Sequence, residues 1–138
     1  AAHAGWRGVS LGIPADLVRE MAQGFGCPPD RLLVGIGPAV GPCCYEVGPE
    51  LRAVFRRRGR DPEAGDFRPG PDGRLRLDLV GAVRRQLREE GVPPGNVEAV
   101  GLCTACRPDL LFSRRRDGPG QDRLHAFIGW RALPAGPA

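Results

Sequence analysis

Residues Arg31 to Glu50 read RLLVGIGPAVGPCCYEVGPE, and three kinds of backbone follow one another within this stretch. Leu32, Leu33, Val34 and Ile36 form a short apolar run stopped by Gly37-Pro38, the pattern of a buried strand over Arg31 to Pro38. From Gly37 to Gly48 a glycine or proline stands at nearly every second position, which marks a loop. Pro49 sits where a helix tolerates proline, at its first position, and Leu51, Val54 and Phe55 then share one face. Strand, loop and helix in succession point to an α/β chain.

The flanking sequence repeats that alternation. Upstream, GIPADLVREMAQGFG (Gly12 to Gly26) predicts a helix with Leu17, Val18, Met21 and Phe25 on its apolar face. Gly24 or Gly26 can end it, and Pro14 belongs in its first turn. If the helix begins as early as Val9, it must bend before Pro14. Downstream, Arg60 to Gly73 is rich in Gly, Pro and Asp and reads as a loop. RLRLDL alternates like a half-exposed strand. Asp78 is placed to cap a helix over Leu79 to Glu90, with Leu79, Val83 and Leu87 in one stripe and Gly91 at its end. Val97 to Thr104 (VEAVGLCT) predicts another strand. DLLFSRRRD and RLHAFIGW predict two closing strands joined by GPGQ. The fold class expected is α/β with mixed sheets layered against flanking helices.

With 138 residues and 41 % apolar content, one domain spanning 1–138 is expected. No run is long enough to cross a bilayer and none resembles a signal peptide, so a cytoplasmic protein without a membrane partner is expected. All the basic residues are arginine, Asn96 is the single asparagine, and glycine (21) and proline (15) abound. This bias fits a GC-rich genome, and the scarcity of Asn and the proline-rich loops fit a thermophile. The net charge of +4 is spread along the chain except at Arg56-Arg57-Arg58 and Arg114-Arg115-Arg116, and aromatics are only 6 %, so no nucleic-acid surface is expected. Five cysteines without a secretory signal argue for free thiols rather than a disulfide framework.

Several residues carry possible chemistry. His3 precedes Gly5 and Gly8 in AAHAGWRG and is a candidate metal ligand or acid–base group, although zinc takes at least three protein ligands. Arg7 beside glycines at a helix start suits an anion. Glu46 could serve as a general base, hold a hydroxyl, or simply enter a helix. Cys43 and Cys44 are adjacent and point apart, which disfavours a shared metal. Cys103 and Cys106 form one C-x-x-C, but a zinc ribbon takes a second such pair, and Pro108 is out of place for a thioredoxin-type helix. Arg115 and Asp117 could pair with each other or face a site. His125 reads as structural or exposed.

HAGWRG, IGPAVGPCCYEVG and GLCTACRPDLLFSRRRDG, in that order, resemble the YfiH family, also called the laccase-domain or multicopper polyphenol oxidase family and later described as zinc-dependent purine nucleoside enzymes. The resemblance runs from His3 to about Trp130. It implies phosphorolysis of adenosine, inosine and guanosine, and deamination of adenosine, with purine nucleoside and phosphate as substrates. Family chains are longer. Their upstream half carries a V-H-G-like histidine and a D-C cysteine, which join the H-A-G-W histidine as zinc ligands. Of these three, only His3 has a counterpart here, so the chain is expected to be an N-terminally truncated portion. A sheet without its upstream strands would leave an open edge and favour a homo-oligomer. For that chemistry Arg7 and Arg115 are the candidate anion contacts, Glu46 a candidate contact to ribose or base, and Tyr45 a candidate to pack against the purine. The alternatives are a copper-dependent phenol oxidase, a thiol hydrolase using Cys43 or Cys44, and a folded fragment without activity.

Overall fold

The computed structural model describes residues 1–57, 65–120 and 123–129. Helix α1 (Trp6–Leu11) stops at Gly12, whose φ of 93° only glycine adopts without strain, and α2 (Ile13–Phe25) starts immediately after it. The bend expected ahead of Pro14 is therefore made by Gly12. At the other end of α2, Gly26 is left-handed and the Cys27 N–H folds back to Met21 O at 3.0 Å, closing the helix with a glycine stop.

The buried edge of α2 is Pro14, Ala15 and Val18, with Met21 packed beside Val18. Leu17 (36 % exposed) and Phe25 (73 %) face outward, which corrects the apolar stripe expected from the sequence. Residues 14, 18 and 21 form a neighbouring stripe of the helix, and this is the one that meets α4. Phe25 lies in the last turn, beyond the reach of that contact.

Strand β1 (Val34–Ile36) pairs in parallel with β4 (Val97–Ala99), Val34 opposite Val97 and Ile36 opposite Ala99. Helix α3 (Pro49–Arg57) follows the Gly/Pro loop and begins at Pro49. β2 (Phe67–Pro69) and β3 (Leu75–Leu77) form an antiparallel hairpin around Gly70–Gly73. The sequence reading treats β2 as loop. Its residues pair because Phe67 falls into the core opposite Leu77. Residues 60–64 of that expected loop lie outside the described residues.

Helix α4 (Leu79–Glu89) is capped as its sequence predicts: Asp78 Oδ1 accepts the Gly81 N–H at 2.9 Å. Its inner face joins both apolar clusters. Leu79 and Ala82 meet Val9, Leu51, Phe55, Phe67 and Leu77, while Leu87 meets Val18, Leu32 and Val92. Phe55 and Phe67 meet edge-to-face, with centroids 5.4 Å apart. Two polar side chains are buried on the same helix. Arg85 bonds Asp66 (2.7 Å) and Glu89 (2.8 Å), and Gln86 Nε2 donates to Val9 O at 2.8 Å, tying α4 to α1.

The last third departs from expectation. β4 is only three residues long, because Gly101 turns the chain at φ 72°. The two closing strands are not formed among the described residues. Arg114–Asp117 is instead a helical turn, α5, and residues 123–129 take no regular structure. The Asp117 carboxylate accepts the Ser113 N–H at 2.9 Å, so the turn closes locally. Leu124, Phe127 and Ile128 are exposed, and His125 stacks on Phe127 with centroids 6.4 Å apart. Among the described residues no helix is long and apolar enough to cross a membrane.

Candidate functional site

The parallel pairing of β1 and β4 carries on past the strands and sets two loops side by side. Ala39 bridges Cys103, and the Thr104 N–H donates to Ala39 O at 3.0 Å. The first loop then turns at Gly41, whose carbonyl accepts the N–H groups of Cys44 (3.0 Å) and Tyr45 (2.9 Å). The second turns over Cys103–Cys106, closed by the Cys106 N–H to Cys103 O at 3.2 Å.

Four sulfurs meet between these turns. Those of Cys43, Cys44, Cys103 and Cys106 all lie within 4.8 Å of one another, close enough to hold a metal ion. Cys106 Sγ is 3.4 Å from Cys44 Sγ and 3.6 Å from Cys43 Sγ, and all four thiols are free. Gly41 N–H donates to Cys103 Sγ at 3.2 Å. A Cβ on Gly41 would sit 3.3 Å from both Cys103 Cβ and Cys43 Sγ, so only glycine leaves the sulfurs this close without displacement. Burial pushes the Cys103 thiol up, but the N–H groups of Gly41, Cys106 and Ala105 and the Cys43 thiol outweigh it and bring it down to about 6. Cys43 is raised by burial and by its bonds to Cys103 and Cys106, and Cys106 by its bond to Cys44.

This arrangement corrects the reading of the two cysteine pairs as unrelated. Cys44 and Cys106 are 62 residues apart in sequence, and it is the β1–β4 register that unites them. The signal available was positional: CC lies just beyond one predicted strand and C-x-x-C just beyond another.

Tyr45 and Glu46 leave the cysteine turn and run along β3. Leu77 N–H donates to Tyr45 O (3.0 Å), Val47 N–H to Leu75 O (2.9 Å), and Glu46 bridges Arg76. The Glu46 carboxylate accepts from Arg74 at 2.9 Å. Arg115, on α5, donates to Glu46 O and holds its guanidinium 5.6 Å from the centre of the Tyr45 ring. A cleft of about 350 Å³ opens here, lined by Glu46, Pro49, Arg74, Leu75 and Arg115 among others. Burial raises the Tyr45 hydroxyl pKa, while the Arg115 and Arg7 charges pull it the other way.

Of His3, Arg7, Tyr45, Glu46 and Arg115, the candidates for the nucleoside site, three come together: Tyr45, Glu46 and Arg115. Arg7 sits 4.4 Å over the Trp6 ring and acts on Tyr45 through its charge. Asp117, which could have paired with Arg115, instead pairs with Arg116 at 2.6 Å. His3 is exposed on the lead into α1, with its imidazole lying over Gly5: a Cβ there would be 3.2 Å from Nε2. Among the described residues His3 joins no group of three or more metal-capable side chains.

The family described as multi-copper polyphenol oxidoreductase laccase matches residues 1–131. The chain belongs to this family. Two family relatives, each bearing the name purine nucleoside phosphorylase, are YlmD of Geobacillus stearothermophilus and a protein of Bacteroides thetaiotaomicron. The first is 38 % identical over 130 residues, covering 94 % of this chain and 47 % of YlmD. The second is 36 % identical over 128 residues, covering 93 % of this chain and 47 % of the relative. The crystal structure of the Bacillus licheniformis hypothetical protein YfiH superposes with a TM-score of 0.77 at 39 % identity, covering 85 % of this chain and 44 % of that one. The mixed α/β fold is therefore a partial YfiH-like fold, and the chain spans about half the length of the curated relatives it matches.

Proposed function

We propose that this chain forms part of a purine nucleoside phosphorylase, its share of the site being the cleft between Glu46 and Arg115. The observation that carries the reading is a cleft lined by Glu46 and Arg115, with the half-buried Tyr45 ring against the Arg115 guanidinium beside it, in a family whose relatives bear that name. Phosphorolysis brings an anion to a ribose carbon that gains positive charge in the transition state. Arg115 and Arg7 supply cationic donors for phosphate. Glu46 can accept from a ribose hydroxyl once Arg74 shifts, which costs little because the Glu46–Arg74 pair is exposed. Tyr45 offers a ring for the purine face. Deamination of adenosine belongs to the same proposal.

Zinc at His3 is the finer part of the expectation. His3 offers one imidazole, and the described residues bring no second ligand to it, so they do not by themselves fit a zinc ion there. Such a site would take its remaining ligands from the rest of a longer protein, and none of the roles above passes through it. A copper centre for phenol oxidation draws on several imidazoles, and this sequence holds two histidines.

The test is phosphate-dependent release of hypoxanthine from inosine, with ammonia release from adenosine measured alongside, on this chain and on a form extended to the relatives' length. Arg115→Ala in the active form should cost about 10- to 100-fold in kcat/KM, expressed in KM for phosphate, the scale of one charge-assisted hydrogen bond of about 1.5–3 kcal/mol. Base release that is indifferent to phosphate removes the phosphorylase reading.

A further inference from the structure

We propose that Cys43, Cys44, Cys103 and Cys106 form a tetrathiolate zinc site, separate from the nucleoside cleft, that pins the Tyr45–Glu46 segment to the end of β4. Tetrahedral zinc with Zn–S bonds of about 2.3 Å sets its sulfurs about 3.8 Å apart. The sulfurs here are 3.4 and 3.6 Å apart in two pairs and within 4.8 Å throughout, so an ion enters with small movements. Four thiolates with no imidazole or carboxylate among them are a soft, closed set of the kind that selects zinc for structure and leaves no position for a reacting water.

Two further features support an ion rather than four idle thiols. Gly41 aims its N–H at Cys103 Sγ and leaves the space a side chain would close, the outer support that orients a thiolate ligand. Positive charge also leans on the cluster's carbonyls. Arg76 donates to Cys43 O, and Arg116 Nη1 donates to Thr104 O at 2.9 Å and Ala105 O at 3.3 Å. Binding converts four thiols and one Zn²⁺ into a complex of charge −2 and releases four protons. Nearby guanidinium groups offset that charge. The corner is otherwise weakly held: Cys43 and Cys106 are exposed, and none of the four cysteines belongs to an apolar cluster. With the ion bound, the turn that presents Tyr45 and Glu46 is cross-linked to the turn that follows β4.

The experiment is metal analysis of the chain purified under reducing, anaerobic conditions, followed by cobalt replacement. One zinc per chain is expected, with sulfur-to-cobalt charge transfer in the near ultraviolet and intense ligand-field bands in the red for the cobalt form. Cys106→Ser and Cys44→Ser should each weaken zinc binding at least about tenfold, since even outer support of a ligand carries that much. Cys27→Ser and His3→Ala should retain zinc, which separates this site from any metal at His3 and from the phosphorylase reading. Should the serine variants fail to fold, alkylation of the unaltered chain decides: the four cysteines should be protected with zinc and react once a chelator removes it. A reduced chain that binds no zinc, iron or copper in place of zinc, full zinc in Cys106→Ser, or alkylation unaffected by the chelator would each overturn the proposal.

Discussion

The apolar centre around α4 and the cysteine corner are held by different means. Val9, Phe55, Phe67 and Leu77 are buried to 2 % exposure or less and interlock with Leu51, Leu79 and Ala82. That arrangement needs nothing but its own side chains. The corner is held by hydrogen bonds instead, among Ala39, Gly41, Cys103 and Thr104 and from Arg76 and Arg116 to its carbonyls, with sulfurs facing one another across a partly exposed gap. A region with so little apolar burial opens at low free energy unless something cross-links it. The first region gives the molecule its stability, and the second gives its turns a place to be fastened.

The largest expected effect tests the apolar side. Phe55→Ala should destabilise the chain by about 3–5 kcal/mol, because a fully buried ring is lost and its edge-to-face partner Phe67 faces a cavity. Urea denaturation measures it. A loss below about 1 kcal/mol would mean that the centre is loosely packed and that the contrast with the corner fails. Next comes the buried ion pair. Asp66 and Arg85 are each 7 % exposed at the side chain, and Asp66→Asn should cost about 3 kcal/mol by leaving a guanidinium buried against a neutral group, with Glu89 its remaining carboxylate. Asp66→Asn together with Arg85→Met should recover most of that loss. A double variant no better than the single one would show that the pair is not what matters there.

The same division explains what could be read before the structure. Pro49, Asp78 and Gly26 mark their helix ends through interactions within a few residues, and their elements form where the sequence places them. The face of α2 was less legible, because whether Leu17 or Pro14 turns inward depends on where α4 lies. DLLF and LHAFI are apolar enough to read as strands, but a strand needs a partner. None meets them among the described residues, and Phe127 stays 92 % exposed. The cysteine corner was illegible for the opposite reason: its chemistry lies in proximity across 62 residues, set by three pairs of parallel strand register. Tyr45, Glu46 and Arg115 were candidates from their side-chain chemistry alone, and only the fold shows that α5 returns Arg115 to the turn after Cys44.

The smallest effect concerns Asp78, which joins a local signal to a tertiary one. Its Oδ1 accepts the Gly81 N–H, its Oδ2 accepts from Arg68 at 2.6 Å, and its own N–H donates to Asp66 O at 2.7 Å. Asp78→Asn keeps a cap acceptor and loses the ion pair. Asp78→Ala loses both and keeps the backbone bond. The cap is worth about 1 kcal/mol and the ion pair, with Arg68 half exposed, about 0.5 kcal/mol or less. Alanine should therefore cost roughly 1 kcal/mol more than the wild type, and asparagine only a few tenths. Thermal unfolding at low and high salt separates the two contributions, since salt screens the ion pair and leaves the cap intact. Equal losses for asparagine and alanine would assign the effect to charge. The start of α4, and with it the apolar centre, would then depend on the β2 hairpin's Arg68 rather than on its own first turn.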